Sequence, residues 1–440
     1  MQGGHSNKST FFDTIHDVRM TTTLNLKVST SERINQYAYS GRISKGSAHS
    51  PHVDVSIYRD TTANDKEVLV KAVRRKMAGH EDKYRLLRRN PQAGNNLLNG
   101  ELSIRKEVAV LKSCRHPHIV QLLEVIDDPS HDRVFLVLEY LAGGEIQWRN
   151  ENENLPILTV EQSKRIFRDA ILGLQYLHHH GIIHRDIKPA NLVWSSDQST
   201  VKIIDYGISH CNEEHSKRTV STSRYREKYI SKPNPTLFTN AELTKQRGTG
   251  YFMAPEVAWT PPDNSLSSPS IDTLSSTMHA DAFQIPVKRP AITKAIDVWS
   301  LGVTLYCLLF GKFPFQIPSD GNDNHYHTKY MLFREICTQD WNVPDTMGSD
   351  SLPTGGRAVK NLENVIALLD SMLRKDPSSR ISIGCVKCHP WVLNDLPNPR
   401  AWLYLTSPSP PNQNNWAKQV GQKVLTLLPS MYNSLWASCK

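Results

Sequence analysis

No apolar run in this chain is long enough to cross a bilayer. The longest, VWSLGVTLYCLLF from Val298 to Phe310, is broken by Ser300, Gly302 and Thr304 and reads as a buried core helix. The opening MQGGHSNKST lacks the hydrophobic region of a signal peptide, so neither membrane insertion nor export is expected. Cysteines are few and odd in number, seven in 440 residues, which fits reduced thiols in the cytoplasm or nucleus better than a disulfide framework. Basic residues outnumber acidic ones, 52 to 43, but they form no block interleaved with aromatics, so a nucleic-acid partner is not expected. The stretch CVKCH, from Cys385 to His389, matches a haem-attachment pattern and half of a zinc site. No second cysteine pair completes four zinc ligands and no export signal supports haem attachment, so two thiols near a helix end are expected instead.

What is present falls into two kinds of pattern. Residues 1–33 are rich in Ser, Thr and Asn without an apolar period and are read as a flexible lead-in, with order expected from about Ile34. Between Tyr37 and Leu141, VDVSIY, EVLVKAV and RVFLVLEY read as strands, and ELSIRKEVAVLKSC repeats apolar residues at helical spacing. Beyond Thr159 helical patterns dominate, starting with VEQSKRIFRDAILGLQYLHHHG, where Gly181 is placed to end the helix. Three polar or Pro- and Ser-rich stretches interrupt these patterns, at 76–100, 212–245 and 260–290.

The chemistry concentrates in HRDIKPAN, from His184 to Asn191, followed by VKIIDYG, from Val201 to Gly207. Phosphoryl transfer needs a carboxylate beside the attacking hydroxyl and oxygen ligands for the metal that neutralises phosphate charge. Asp186, Asn191 and Asp205 supply those groups.

In these segments the chain resembles eukaryotic serine/threonine protein kinases. The resemblance implies an α+β, two-lobed fold: a small lobe (about 34–141) of mainly antiparallel sheet with one principal helix, and a larger, mainly helical lobe (about 142–393), before a tail at 394–440. It implies ATP and Mg²⁺ as cofactors and protein substrates. Asp186 would orient the substrate hydroxyl, Lys188 would steady the transferring phosphate, and Asn191 and Asp205 would hold Mg²⁺. Lys71 would grip the nucleotide phosphates and Glu107 would orient that lysine. Leu138 would gate the adenine pocket, backbone groups of Glu139 and Leu141 would bind the base, and Ile43, Gly46 and Val55 would cover the nucleotide. Ala254-Pro255-Glu256, Asp297 and Arg380 match structural positions of the same family. The stretches HPHIVQLLEVIDDP, LVLEYLAGGEIQW and DVWSLGVTLYCLLFGKFPF narrow the resemblance to the calcium/calmodulin-dependent protein kinase kinases and their fungal relatives, which act upstream of the AMP-activated kinase.

The chain departs from that pattern in places. Ser44 stands at the first glycine of the phosphate loop, Tyr206 replaces a phenylalanine, Gly250 replaces a proline after Thr249, and the segment from Asp205 to Glu256 is long. Thr249 is expected to contact Asp186, and Thr244 is the better site for regulatory phosphorylation. A basic amphipathic pattern from Trp416 to Leu428 fits either calmodulin or the chain's own helical lobe, with self-docking favoured. The rival readings are a pseudokinase scaffold and a calmodulin-regulated kinase with other substrates.

Overall fold

The computed structural model describes residues 18–28, 32–44, 53–74, 93–211, 238–259, 288–317, 325–355 and 364–407. The chain divides into two compact units, one comprising residues 1–104 and 121–140, the other 105–120 and 141–440. Arg105–Val120 belong with the second unit, so the division falls after residue 104 as well as after residue 140.

The first unit is built on an eight-stranded sheet in the order β1-β7-β8-β6-β5-β4-β3-β2. Its strands are β1 (Arg19–Thr21), β2 (Leu26–Val28), β3 (Glu32–Ile34), β4 (Tyr37–Ser44), β5 (Val53–Asp60), β6 (Lys66–Arg74), β7 (Leu122–Ile126) and β8 (Arg133–Glu139). The three strands read from apolar alternation appear as β5, β6 and β8, because alternate side chains such as Val68, Val70 and Ala72 enter one buried cluster with Tyr58, Phe135 and Val137. All neighbours pair antiparallel except β1 and β7.

β1, β2 and the start of β3 lie inside the segment expected to be a flexible lead-in, which is corrected here. The cause is a carboxylate about a hundred positions away. Buried Glu124 accepts from Arg19 Nη1 at 3.3 Å, Gln36 Nε2 at 2.9 Å, Tyr37 Oη at 2.6 Å and the Thr21 hydroxyl. Four donors satisfy a charge that would otherwise be costly to bury.

The second unit is mainly helical. It takes the C-terminal part of α1 (Ala93–Ser113), then α2 (Val160–His179), α3 (Asn240–Leu243), α4 (Pro255–Ala258), α5 (Ala295–Phe310), α6 (His325–Thr338), α7 (Val365–Met372), α8 (Ile383–Lys387), α9 (Pro390–Leu393) and α10 (Pro399–Leu405). α1 starts within the stretch 76–100 that was read as an interruption. Thr159 and Gln162 form a reciprocal capping box at the start of α2, and Gly181, at φ 73°, follows its last turn as expected. α5 is buried almost all round, with Trp299 and Tyr306 among the most enclosed side chains, so it is the core helix its sequence suggested.

Structure continues beyond the expected boundary at residue 393: Lys387 Nζ donates to Thr406 O at 2.9 Å, and Arg168 and Lys164 of α2 both pair with Asp395. Cys114, Cys211, Cys307 and Cys337 are buried free thiols and Cys388 is a half-buried one, but Cys385 is disulfide-bonded. Reduced thiols are thus the wrong expectation at Cys385, since an odd count cannot single out which cysteine is engaged. His389 caps α9 through Nδ1, which accepts from Trp391 N, a structural use for the CVKCH histidine. Gly46 and the residues around Pro51, most of the stretches 212–245 and 260–290, and the basic pattern at 416–428 lie outside the described residues.

Candidate active site

The loop from His184 to Asn191 leaves the short strand Ile182–Ile183 and enters Leu192–Trp194 through a single helical turn at Pro189–Asn191. Leu192–Trp194 pairs antiparallel with Val201–Ile203, Leu192 facing Ile203. That register, extended by Ile204 N donating to Asn191 O at 3.0 Å, sets Asn191 beside the residue preceding Asp205. Asn191 and Asp205, fourteen positions apart in sequence, are thereby brought to the same end of one hairpin.

The loop is held from below by Asp297 of α5. Its fully buried carboxylate accepts from the backbone N–H groups of His184 and Arg185, both at 2.8 Å, and faces His178 Nε2 at 2.9 Å. Burial pushes this carboxyl's pKa up, but the hydrogen bond and charge of His178, then His184 and the Arg185 amide, outweigh that and leave it below its ordinary value. His184 Nε2 in turn donates to Ile204 O at 3.0 Å, and the ring packs edge-on against Tyr206 at 5.0 Å. Tyr206, the departure from phenylalanine, is fully buried and its hydroxyl donates to Ile203 O at 3.2 Å, so the extra oxygen is satisfied.

Around Asp186 the side chains converge. Asn191 Nδ2 donates to Asp186 O at 2.7 Å and to Oδ2 at 3.0 Å. Lys188 Nζ lies 2.7 Å from Asp186 Oδ2 and 2.7 Å from Thr249 Oγ1. Thr249 donates to Asp186 Oδ1 through both its N–H (3.0 Å) and its hydroxyl (2.7 Å), the contact expected from the sequence. A hydroxyl thus already rests against Asp186 with an ammonium beside it. That is the arrangement a general base and a phosphate-steadying cation require. Gly248 makes it possible: at φ 125°, a Cβ there would sit 2.8 Å from Arg185 O.

The residues proposed for metal fit a hard cation. Asn191 spends its amide nitrogen on Asp186, which leaves its oxygen as the ligand atom, and the exposed Asp205, in the left-handed region at φ 64°, supplies a carboxylate. One or two such oxygens suffice where substrate phosphates provide the rest. Among the described residues no cluster of three or more His, Cys, Asp or Glu forms a self-sufficient metal cage.

The other sequence-identified residues are placed one by one. Lys71 is on β6, paired with Val55 of β5 and Leu136 of β8. Leu138 is buried on β8, and Ile43 is an exposed residue of β4. Glu139 donates its N–H to Gln121 O, and Leu141 O accepts from Gly144 N. Glu107 is buried on α1, in the part that belongs to the second unit. Lys71, Ile43, Val55, Leu138 and Glu139 belong to the first unit and the remaining described candidates to the second.

Sequence reasoning overlooked Arg185. Its guanidinium donates to the backbone oxygens of Glu242 (3.1 Å), Leu243 (3.2 Å) and Lys245 (2.6 Å). Its place directly before Asp186 was the available signal. Glu256 and Arg380, matched only by resemblance, form a bidentate ion pair at 2.7 and 2.9 Å with no exposed side-chain surface.

The family profile described as "Protein kinase domain" matches residues 63–279 and 284–392. The chain belongs to the protein kinase family. Among individual proteins it is similar to serine/threonine-protein kinase ssp1 of Schizosaccharomyces pombe, at 39% identity over 322 residues, 73% of this chain and 39% of that protein. It is similar to serine/threonine-protein kinase TOS3 of Saccharomyces cerevisiae, at 35% over 295 residues, 66% of this chain and 44% of that protein. SNF1-activating kinase 1 of the same yeast is 32% identical over 376 residues, 84% of this chain and 29% of that protein. The chain spans less than half the length of these curated relatives.

Proposed function

We propose that this protein kinase transfers the ATP γ-phosphate to serine or threonine of protein substrates, and that its substrate is the activation-loop threonine of an AMP-activated-type kinase catalytic subunit. The observation that carries the first part is the Asp186 cluster, in which a carboxylate, an ammonium and a hydroxyl stand within hydrogen-bond reach of one another. In this reading Asp186 accepts the proton of the incoming hydroxyl, and Lys188 neutralises charge on the phosphoryl group as it passes. Asn191 and Asp205 would hold Mg²⁺, which supplies charge neutralisation between the phosphates when bound. Lys71 would contact the nucleotide phosphates with Glu107 orienting it, and Ile43, Gly46, Val55 and Leu138 would enclose the nucleotide, with backbone groups of Glu139 and Leu141 binding the base.

The second part rests on similarity to proteins one of which is named for activating SNF1. A scaffold without activity has no use for Lys71, Glu107, Asp186, Asn191 and Asp205 together. The test is to incubate the purified chain, ATP and Mg²⁺ with an unphosphorylated AMP-activated-type catalytic subunit and map the modified site by mass spectrometry. Phosphate on the activation-loop threonine is expected. Phosphate only on unrelated proteins would remove the upstream role and leave the kinase activity standing.

A further inference from the structure

Between Phe238 and Thr249 the chain carries two basic residues, Lys245 and Arg247, and one acidic residue. That acidic residue, Glu242, sits on α3, a single turn capped by the Thr239 side chain. Its carboxylate meets Lys106 Nζ of α1 at 3.4 Å and Arg247 Nη2 at 3.5 Å, and it also pairs with Lys245 Nζ. The side chains of Lys106 and Glu242 are only 5% and 13% exposed, so this is an interior contact joining positions 136 residues apart. Lys106 also lies over the Phe238 ring at 5.7 Å, and Phe238 packs edge-on against His210. Arg185 closes the same cluster from the catalytic loop through the backbone oxygens of residues 242, 243 and 245, and Arg289 donates to Thr244 O at 2.6 Å.

Three cations, Lys106, Lys245 and Arg247, therefore meet a single carboxylate, while Arg185 and Arg289 hold backbone oxygens of the same segment. Burial pushes the Lys106 ammonium below its ordinary pKa, and Glu242 opposes this. Burial and then repulsion by Arg247 lower Arg185 to about 10, with Asp297 and Glu242 opposing. Burial raises Glu242 itself, but Lys245, Lys106 and Arg247 together hold it below its usual carboxylate value. Removing the negative charge would leave like charges facing one another in a poorly solvated place. The residue next to α3 that the sequence nominated for phosphorylation, Thr244, is exposed, and its hydroxyl donates to Ala241 O at 3.0 Å rather than facing these cations.

We propose that Glu242 is a built-in anion that fixes the activation segment against α1 and the catalytic loop, doing in this chain the work that an added phosphate does where such a cation cluster lacks its own carboxylate. The consequence at the site is mechanical. Arg185 ties residues 242–245 to the loop carrying Asp186, and four residues further on Thr249 rests on that same aspartate. Glu242 is a positioning residue: it does not meet the reacting atoms, and it sets where the segment bearing Thr249 lies. The inference rests on the kinase reading above and adds that turnover does not depend on phosphate in the activation segment.

The experiment uses the full chain, purified, stripped with a broad-specificity phosphatase and checked by intact mass, with a threonine-containing peptide as acceptor. The stripped protein is expected to keep its turnover within about twofold, since no phosphate is required. Glu242→Gln, which keeps the side chain's shape and removes its charge, is expected to lower kcat by about 10- to 100-fold through the lost charged contacts while KM for ATP stays unchanged. Glu242→Asp restores part of that loss, and Thr244→Ala leaves turnover as it was. In the background of Lys106→Met the Glu242→Gln effect shrinks, because one buried cation no longer needs an anion. Loss of activity on stripping that returns on rephosphorylation would overturn the inference while leaving the kinase reading intact. Full kcat in a folded Glu242→Gln would overturn it as well. Absence of phosphotransfer from every form would remove the kinase reading and this inference with it. The phosphatase comparison needs no variant, so it decides the matter even if Glu242→Gln does not fold.

Discussion

Replacing Asp297 with alanine removes the acceptor for three buried donors at once: His184 N and Arg185 N at 2.8 Å and His178 Nε2 at 2.9 Å. Each buried donor left unpaired costs about 1–3 kcal/mol. The simple sum for three donors is about 3–9 kcal/mol, but a water admitted into the vacated space can pair some of them, so the lower part of that range, about 4 kcal/mol, is expected. At about 2–4 °C per kcal/mol for a unit of this size, the melting temperature should fall by about 8–16 °C. Asp297→Asn keeps one oxygen and should lose roughly half as much. The sign with pH follows from the depressed carboxyl: its contribution is complete above the pKa of an unfolded aspartate and is lost as pH falls through its lower folded value. The stability difference between the parent and Asp297→Asn should therefore narrow under acid. Calorimetric melting at several pH values, with peptide phosphorylation measured on the same preparations, reads both effects. An Asp297→Ala melting within about 2 °C of the parent, with unchanged turnover, would refute the view that this carboxylate holds the catalytic loop.

Other perturbations bear on separate parts of the account. Arg380→Met leaves Glu256 buried without its bidentate partner and should cost about 3–5 kcal/mol in urea unfolding, whereas a loss below about 1 kcal/mol would mean the pair contributes little. Gly248→Ala places a methyl 2.8 Å from Arg185 O at an unfavourable φ, so it should cost about 1–3 kcal/mol and lower kcat by displacing Thr249 from Asp186, measured by melting and initial rates. Restoring glycine at position 44 and removing the extra residues around Pro51 should tighten ATP binding several-fold by calorimetry with Mg²⁺, because backbone amides approach phosphates more closely without side chains. Unchanged or weaker affinity after that restoration would reject the loop explanation.

Contacts short in sequence were legible and those spanning long separations were not. Asp186, Lys188 and Asn191 fall within one loop of eight residues, so their spacing alone placed them together, and the strand alternation around Lys71 was equally local. The apolar run at Val298–Phe310 forms a core helix because nearly every face of it is buried. By contrast, β1 is a three-residue strand without apolar period, and its anchor, Glu124, lies more than a hundred positions away. The pairing of Lys106 with Glu242 crosses 136 residues, and a lone glutamate among basic neighbours reads in sequence as an ordinary solvated charge. Arg185 was hidden differently: a residue next to Asp186 drew no attention because its contacts are made to backbone oxygens, which carry no sequence signature.

The central claim is that Asp186 takes the proton from a substrate hydroxyl, and it is tested most directly by comparing the parent chain with Asp186→Asn for phosphate transfer from labelled ATP and, in parallel, for ATP binding. The account predicts that turnover falls by about 10²- to 10⁴-fold while ATP affinity stays nearly the same, since the carboxylate acts on the hydroxyl and not on the nucleotide. Equal transfer by the two proteins, or transfer by neither, would contradict it.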